Sequence, residues 1–128
     1  MLDPTIRGLA QGKNFGALTV LLPSGMPMTH IMWVDADDDY LLINTEAHRD
    51  KAKAMDADPR VALAIWDATS AYRYGEVRGT VVERITGPKA RAHIDELARK
   101  YTGADYASPI TSERVIYKIA PARQHMRG

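Results

Sequence analysis

The residues best suited to chemistry stand together in one stretch, Asn44-Thr45-Glu46-Ala47-His48-Arg49-Asp50-Lys51-Ala52-Lys53-Ala54-Met55. Asn44 and Thr45 close a short apolar run with two hydrogen-bonding side chains. A helical segment then opens with Arg49, Lys51 and Lys53 in its first turns. Cations at a helix start oppose the macrodipole, which favours acids there. Arg49 and Lys53 are also an i, i+4 like-charge pair, a destabilisation of about 0.2–0.5 kcal/mol. A bound anion would relieve both penalties and take up the free N–H groups of the first turn. The alternative is a solvated face on which Asp50 and Asp56 neutralise Lys53, and the spacing alone leaves both open.

Other chemical motifs fail on spacing or context. Gly8-Leu9-Ala10-Gln11-Gly12-Lys13 imitates a phosphate-binding loop but is one residue short, and Asn14 stands where a Ser or Thr would hold magnesium. Asp35, Asp37, Asp39 and Glu46 match the first, third, fifth and twelfth positions of a calcium loop. Tyr40, however, takes the place that needs glycine, and the flanks read as strands, so a solvated hairpin turn is expected. His30, His48, His93 and His125 show no metal-ligand spacing. Neither a Gly-x-Ser-x-Gly elbow nor a dinucleotide-binding glycine motif is present. No catalytic acid, base, nucleophile or metal site is expected.

The elements that must position the basic stretch follow from pattern and punctuation. Asp3-Pro4 caps a short helix to about Lys13. Phe15–Leu22 and Pro27–Asp35 form a hairpin around Pro23-Ser24-Gly25. Met28, His30, Met32 and Val34 alternate with Thr29, Ile31 and Trp33, so neither face of the second strand is cleanly polar and both should be covered. Asp35–Asp39 reads as a polar turn and Tyr40–Asn44 as a strand. A helix from about Glu46 to Asp56 must end before Asp58-Pro59. Arg60–Trp66 and Arg73–Thr86 are strands, the second containing Gly75 and Gly79 at expected bulges. Pro88 starts a helix to about Tyr101 with Ile94, Leu97, Ala98 and Tyr101 as its apolar stripe. Thr102–Ser112 is a loop, and Glu113–Ile119 is a last strand that Pro121 ends. The expected class is a β-dominated α+β fold, a six-stranded split β-barrel with small helices.

Composition bounds the rest. The chain has 128 residues, one domain by its length, and 45% hydrophobic with 26% charged residues, an ordinary globular balance. It has no cysteine, which excludes disulfides and thiolate sites and suits a reducing cytoplasm. Seventeen basic and sixteen acidic residues leave a net charge of +1. That offers no chain-wide attraction for nucleic acid or membrane, and no apolar run is long enough to span a bilayer. The basic stretch alone, without interleaved exposed aromatics, does not make a nucleic-acid surface.

The run Asn44-Thr45…Arg49-Asp50-Lys51-Ala52-Lys53-Ala54-Met55…Asp58-Pro59-Arg60-Val61-Ala62-Leu63 resembles the signature of the pyridoxamine 5′-phosphate oxidase-like split-barrel flavoproteins. Within them it is most similar to the small B-type branch of oxidoreductases that use the deazaflavin coenzyme F420. Met32-Trp33-Val34-Asp35, Val77-Arg78-Gly79-Thr80-Val81, Lys100-Tyr101-Thr102-Gly103 and Arg114-Val115-Ile116-Tyr117-Lys118-Ile119-Ala120-Pro121 agree in order, so the resemblance covers nearly the whole chain.

The resemblance implies a cytoplasmic homodimer with cofactor sites at the subunit interface, passing a hydride between the deazaflavin and a small conjugated substrate. By position, Arg49 and Lys51 are implied phosphate contacts and Lys53 a contact for the acidic tail. Asn44 and Thr45 would lie beside the ring or ribityl chain, and Thr29, His30, Ile31 and Met32 would run along the ring. Tyr74 falls where flavin-binding relatives place a partner-chain glutamine. Trp33, Trp66 and Tyr72 are read as core or dimer packing. The implied alternatives are an FMN-dependent oxidoreductase and a non-catalytic binder of F420, flavin or haem.

Overall fold

A computed structural model describes residues 1–128. Three helices, α1 (Pro4–Gln11), α2 (Asp50–Ala57) and α3 (Pro88–Thr102), accompany seven strands. These are β1 (Phe15–Leu21), β2 (Pro27–Trp33), β3 (Asp35–Ala36), β4 (Leu41–Glu46), β5 (Arg60–Asp67), β6 (Ser70–Ile85) and β7 (Arg114–Arg127). All pairings are antiparallel in one sheet of order β2-β1-β5-β6-β7-β4-β3. The strands β2 and β3 lie at opposite ends of that order, yet only Val34 separates them in the chain. The sheet must therefore curl until its edges meet at Val34, which is fully buried. The result is a half-barrel.

The inward faces supply the core. Gly16, Leu18 and Val20 of β1 alternate inward with Val61, Leu63 and Ile65 of β5, and all six are buried. Ile43, Tyr117 and Ile119 complete it from β4 and β7. A second, smaller cluster of Ile94, Leu97 and Tyr101 forms under α3, with Trp33 and Tyr106 packed against it. Tyr101 joins the two clusters. Its hydroxyl accepts from the Val34 N–H at 3.1 Å and donates to the Asn14 carbonyl. Tyr101→Phe leaves that buried N–H without its partner, and thermal unfolding should show a loss of about 1–3 kcal/mol.

The structure departs from the sequence expectations at four places. The sheet has seven strands, not six, because Asp35-Ala36 inside the expected polar turn pairs with Leu41 and Leu42. Asp37 then closes this hairpin, accepting the N–H groups of Asp39 and Tyr40. Helix α2 starts at Asp50 rather than near Glu46, because Glu46 is still paired with Arg114 in the β4–β7 ladder. Strand β6 begins at Ser70, in a hairpin with β5. Strand β7 passes through Pro121 to Arg127. A register shift at Arg78/Gly79 sets Pro121 opposite Gly79, so the missing proline N–H falls at an irregularity of the ladder. A side chain at Gly79 would place its Cβ 2.1 Å from the Ala120 carbonyl oxygen, which is why glycine stands there.

Candidate functional site

The end of β4, the start of α2 and the start of β7 meet beside α3. Between them lies an open cleft of about 410 Å³. Asn44, Thr45, Arg49, Lys51 and Arg114 form its polar side. Met32, Trp33, Ile94, Tyr106 and Ser108 form the rest. Trp33 stacks on Tyr101 at 5.1 Å between ring centroids and meets Tyr106 edge-on at 6.3 Å, so the aromatic wall is fixed by packing.

Local structure explains the cations. Arg49 is the N-cap of α2 and makes no side-chain cap bond. The first-turn N–H groups therefore lack the usual side-chain acceptor. Lys51 follows in the first turn. Burial, then the neighbouring Arg49 and Arg114, hold its ammonium below the usual lysine range. Burial likewise lowers Arg114, partly offset by Tyr106 and the Glu46 carboxylate, with Arg49 adding to the lowering. Lys51 and Arg114 form no ion pair, and Arg49 has only Glu46 at 3.9 Å. Three cations thus crowd one cleft at an electrostatic cost that a negative ligand would remove. Tyr117 fixes α2 above the core, its hydroxyl 2.9 Å from Asp56 Oδ1 and 3.3 Å from the Ala52 carbonyl.

Polar contacts hold the mouth. Glu46, only 2% exposed, accepts the N–H groups of Thr111 and Ser112 at 2.6 and 2.8 Å. Burial raises its carboxyl, but these two N–H bonds outweigh it and the net value lies below the usual range. His48 Nδ1 lies 2.5 Å from Ser112 Oγ. The loop 103–113, which carries Tyr106 and Ser108, is thereby tied to the end of β4. Asp95 accepts the Tyr106 N–H at 3.0 Å and holds the other end of the loop to α3.

Of the residues singled out in the sequence, Met32, Asn44, Thr45, Arg49 and Lys51 line the cleft together. Lys53 is exposed on α2 and lies outside the lining. Thr29, His30 and Ile31 lie on β2, an edge strand exposed at these positions, and do not line the cleft. Thr29 Oγ1 is 2.8 Å from Thr19 Oγ1. Tyr74 pairs with Trp66 and Arg127 on β6, also away from it. Tyr72 is 87% exposed and so is not core. Arg114, Tyr106 and Glu46 were not anticipated as site residues. The one local signal for Arg114 is a cation opening an otherwise apolar strand, Val115-Ile116-Tyr117.

A curled antiparallel half-barrel with small helices and a cationic cleft beside the β4–α2 turn defines a split-barrel class of protein. The family model described as pyridoxamine 5′-phosphate oxidase matches residues 2–127, and the chain belongs to that family. Among solved structures, it is similar to an F420 reductase at 26% identity and a TM-score of 0.82, covering 97% of this chain and 98% of that one. It is also similar to a conserved hypothetical protein from Mycobacterium tuberculosis, at 23% identity and a TM-score of 0.77 over 99% and 84% of the two chains. HupZ from Group A Streptococcus shares the fold at 13% identity and a TM-score of 0.68 over 98% and 94%. No curated protein matches the chain in sequence. No helix is long and apolar enough to cross a membrane.

Proposed function

We propose that the chain is an oxidoreductase that binds the deazaflavin coenzyme F420 in the β4–α2 cleft and serves hydride transfer to a small conjugated organic acceptor. The observation that carries this reading is the convergence of Arg49, Lys51 and Arg114 on one aromatic-walled cleft, with Lys51 and Arg114 outside any ion pair. A phosphate group fits that set, because charge-assisted bonds from two or more cations and the free N–H groups of a helix start are its usual partners. The similar F420 reductase adds support for the deazaflavin in particular.

When bound, the deazaflavin supplies the hydride; the chain supplies binding, orientation and exclusion of water. Arg49 and Lys51 hold the phosphate. Lys53, exposed just beyond the cleft, meets the acidic tail. Asn44 and Thr45 form the floor beside the ribityl chain. The edge strand β2 has one side of its backbone unpaired, and Thr29, His30, Ile31 and Met32 offer that edge to the ring. The same residues would also hold the phosphate of FMN.

The reading also makes the protein a cytoplasmic homodimer of one-domain subunits, with Tyr74 facing the site of the second copy. The outer face of the sheet supports this. Thr19, Leu21, Ala62 and Ala122 border an almost wholly apolar concavity of about 420 Å³ between Arg60 and Arg78. Small residues there allow a second sheet to approach closely. Light scattering should give twice the 14.2 kDa chain mass, and Ala62→Arg should return it to a single chain.

Stopped-flow oxidation of reduced F420 by a panel of quinones and enones tests the activity. Acceptor-dependent turnover by substoichiometric protein is expected. Tight binding with no acceptor-dependent oxidation across the panel would make the protein a coenzyme binder instead.

A further inference from the structure

The arginine of the cleft is aimed by a chain of buried groups whose order of donors and acceptors is chemically determined. Arg114 is only 8% exposed, and its Nε donates to Asn44 Oδ1 at 2.9 Å. Asn44 Nδ2 donates to the Ala90 carbonyl at 3.0 Å and lies 3.1 Å from His93 Nδ1. A guanidinium can only donate and a carbonyl can only accept, so the Asn44 amide has one possible orientation. His93 Nδ1 must therefore accept. The His93 proton sits on Nε2, which donates to Asp35 Oδ2 at 3.0 Å. Asp35 also accepts the Ala36 N–H at 2.9 Å. Burial raises the Asp35 carboxyl, but the bonds from His93 and Ala36 and the nearby Lys100 bring it below the usual range. Every other member of this chain has its partners within the protein. The outer guanidinium nitrogens of Arg114 form no ion pair; Tyr106 is their neighbour, its ring 5.2 Å from the guanidinium, and Arg114 lines the cleft. A guanidinium this deeply buried, held at Nε by Asn44 and paired with no carboxylate, is arranged to receive an anion.

We propose that Arg114 is a direct contact for the phosphate-class anion of the cleft, and that Asp35, His93 and Asn44 form a positioning relay that aims its guanidinium. The inference rests on the reading of the cleft as an anion site but not on which coenzyme carries the anion. His93 and Asp35 lie on α3 and β3, outside the cleft lining. They act through Asn44, so changes to them should alter affinity without removing a cleft charge.

The test uses the full-length protein and inorganic phosphate, with the Arg114 Nε–H resonance as the reporter. Added phosphate should shift that resonance in the wild type. Arg114→Gln should weaken phosphate affinity by about tenfold or more, the loss of one charge-assisted contact. Lys13→Gln, at an exposed lysine outside the cleft lining, should leave it unchanged. His93→Phe cannot accept from Asn44, and should weaken phosphate and loosen the Arg114 Nε–H, seen as faster hydrogen exchange. His93→Gln can accept from Asn44 and donate to Asp35, and should restore both. A wild-type Arg114 resonance that ignores phosphate overturns the proposal, and so does equal affinity in Arg114→Gln or His93→Phe. If phosphate responds as expected while F420 and FMN do not bind, the coenzyme reading fails and this one stands. If a coenzyme binds equally well to wild type and Arg114→Gln, this inference fails alone.

Discussion

Lys51→Ala should weaken F420 binding by about ten- to a hundredfold, measured by quenching of the coenzyme fluorescence. The size follows from the contact. A charge-assisted hydrogen bond in a partly desolvated site contributes about 1.5–3 kcal/mol, and each 1.4 kcal/mol is about tenfold in affinity. Lys51 is half-buried, and burial together with Arg49 and Arg114 lowers its ammonium when no ligand is bound. An anion reverses that destabilisation, so removal of Lys51 has opposite effects on the two states. The variant should gain some stability without ligand while losing the stabilisation that ligand confers. Lys53→Ala, by contrast, should change affinity only through the tail, because Lys53 lies outside the cleft. Equal titration curves for wild type and Lys51→Ala would remove Lys51 from the site.

The second large effect belongs to Glu46. Its buried carboxylate holds two loop N–H groups, so Glu46→Ala leaves both without acceptors and should cost about 2–3 kcal/mol in denaturant unfolding. The loss is local as well as global. The loop 103–113 carries Tyr106, which stands edge-on to Trp33 and 5.2 Å from the Arg114 guanidinium. Hydrogen exchange should therefore rise through this loop and leave β5 and β6 protected. The acid dependence has a definite sign. The native carboxyl is lowered, so its stabilisation is fully present well above the ordinary glutamate value of 4.5. It is lost as pH falls from there through the lower native value. Wild type should lose this increment in that acid window. Glu46→Ala should lack that part of the pH dependence, and an unchanged acid profile would show that the loop is held by other contacts.

Much of the fold was legible because it rests on local rules. Asp3 caps α1 through the Thr5 and Ile6 N–H groups, Gly25 turns the first hairpin with a positive φ of 86°, and Asp58-Pro59 follows the end of α2. These signals lie within a few residues of what they control. Most of the misjudged features depend on partners far away in sequence. Asp35-Ala36 is the local exception, too short and polar to look like a strand, and becomes one because the Asp37 turn folds it back onto Leu41 and Leu42. Pro121 reads as a strand end in sequence, yet the strand continues because Pro121 lies opposite Gly79 at a ladder irregularity.

The site divides the same way. Asn44, Thr45, Arg49 and Lys51 share one strand–turn–helix segment, so their spacing already implied a common locus. Lys53 was grouped with them by charge, yet it stands exposed on α2 and outside the cleft lining. Arg114 takes the third cationic place, and only the β4–β7 pairing, which sets Asn44 opposite Ile116, brings it to Asn44. His93 carries no signal in sequence, because its spacing to other histidines is wrong for a metal. Its partners are Asp35 and Asn44, and no one-dimensional pattern links the three.

The proposal that the cationic cleft holds the phosphate of a deazaflavin can be checked most directly by titrating the purified wild-type protein with F420 and with FMN, side by side under the same buffer and salt. Saturable quenching of F420 fluorescence at one coenzyme per chain is expected, with tighter binding than FMN. Absence of F420 binding, or saturable binding of FMN alone, would contradict it.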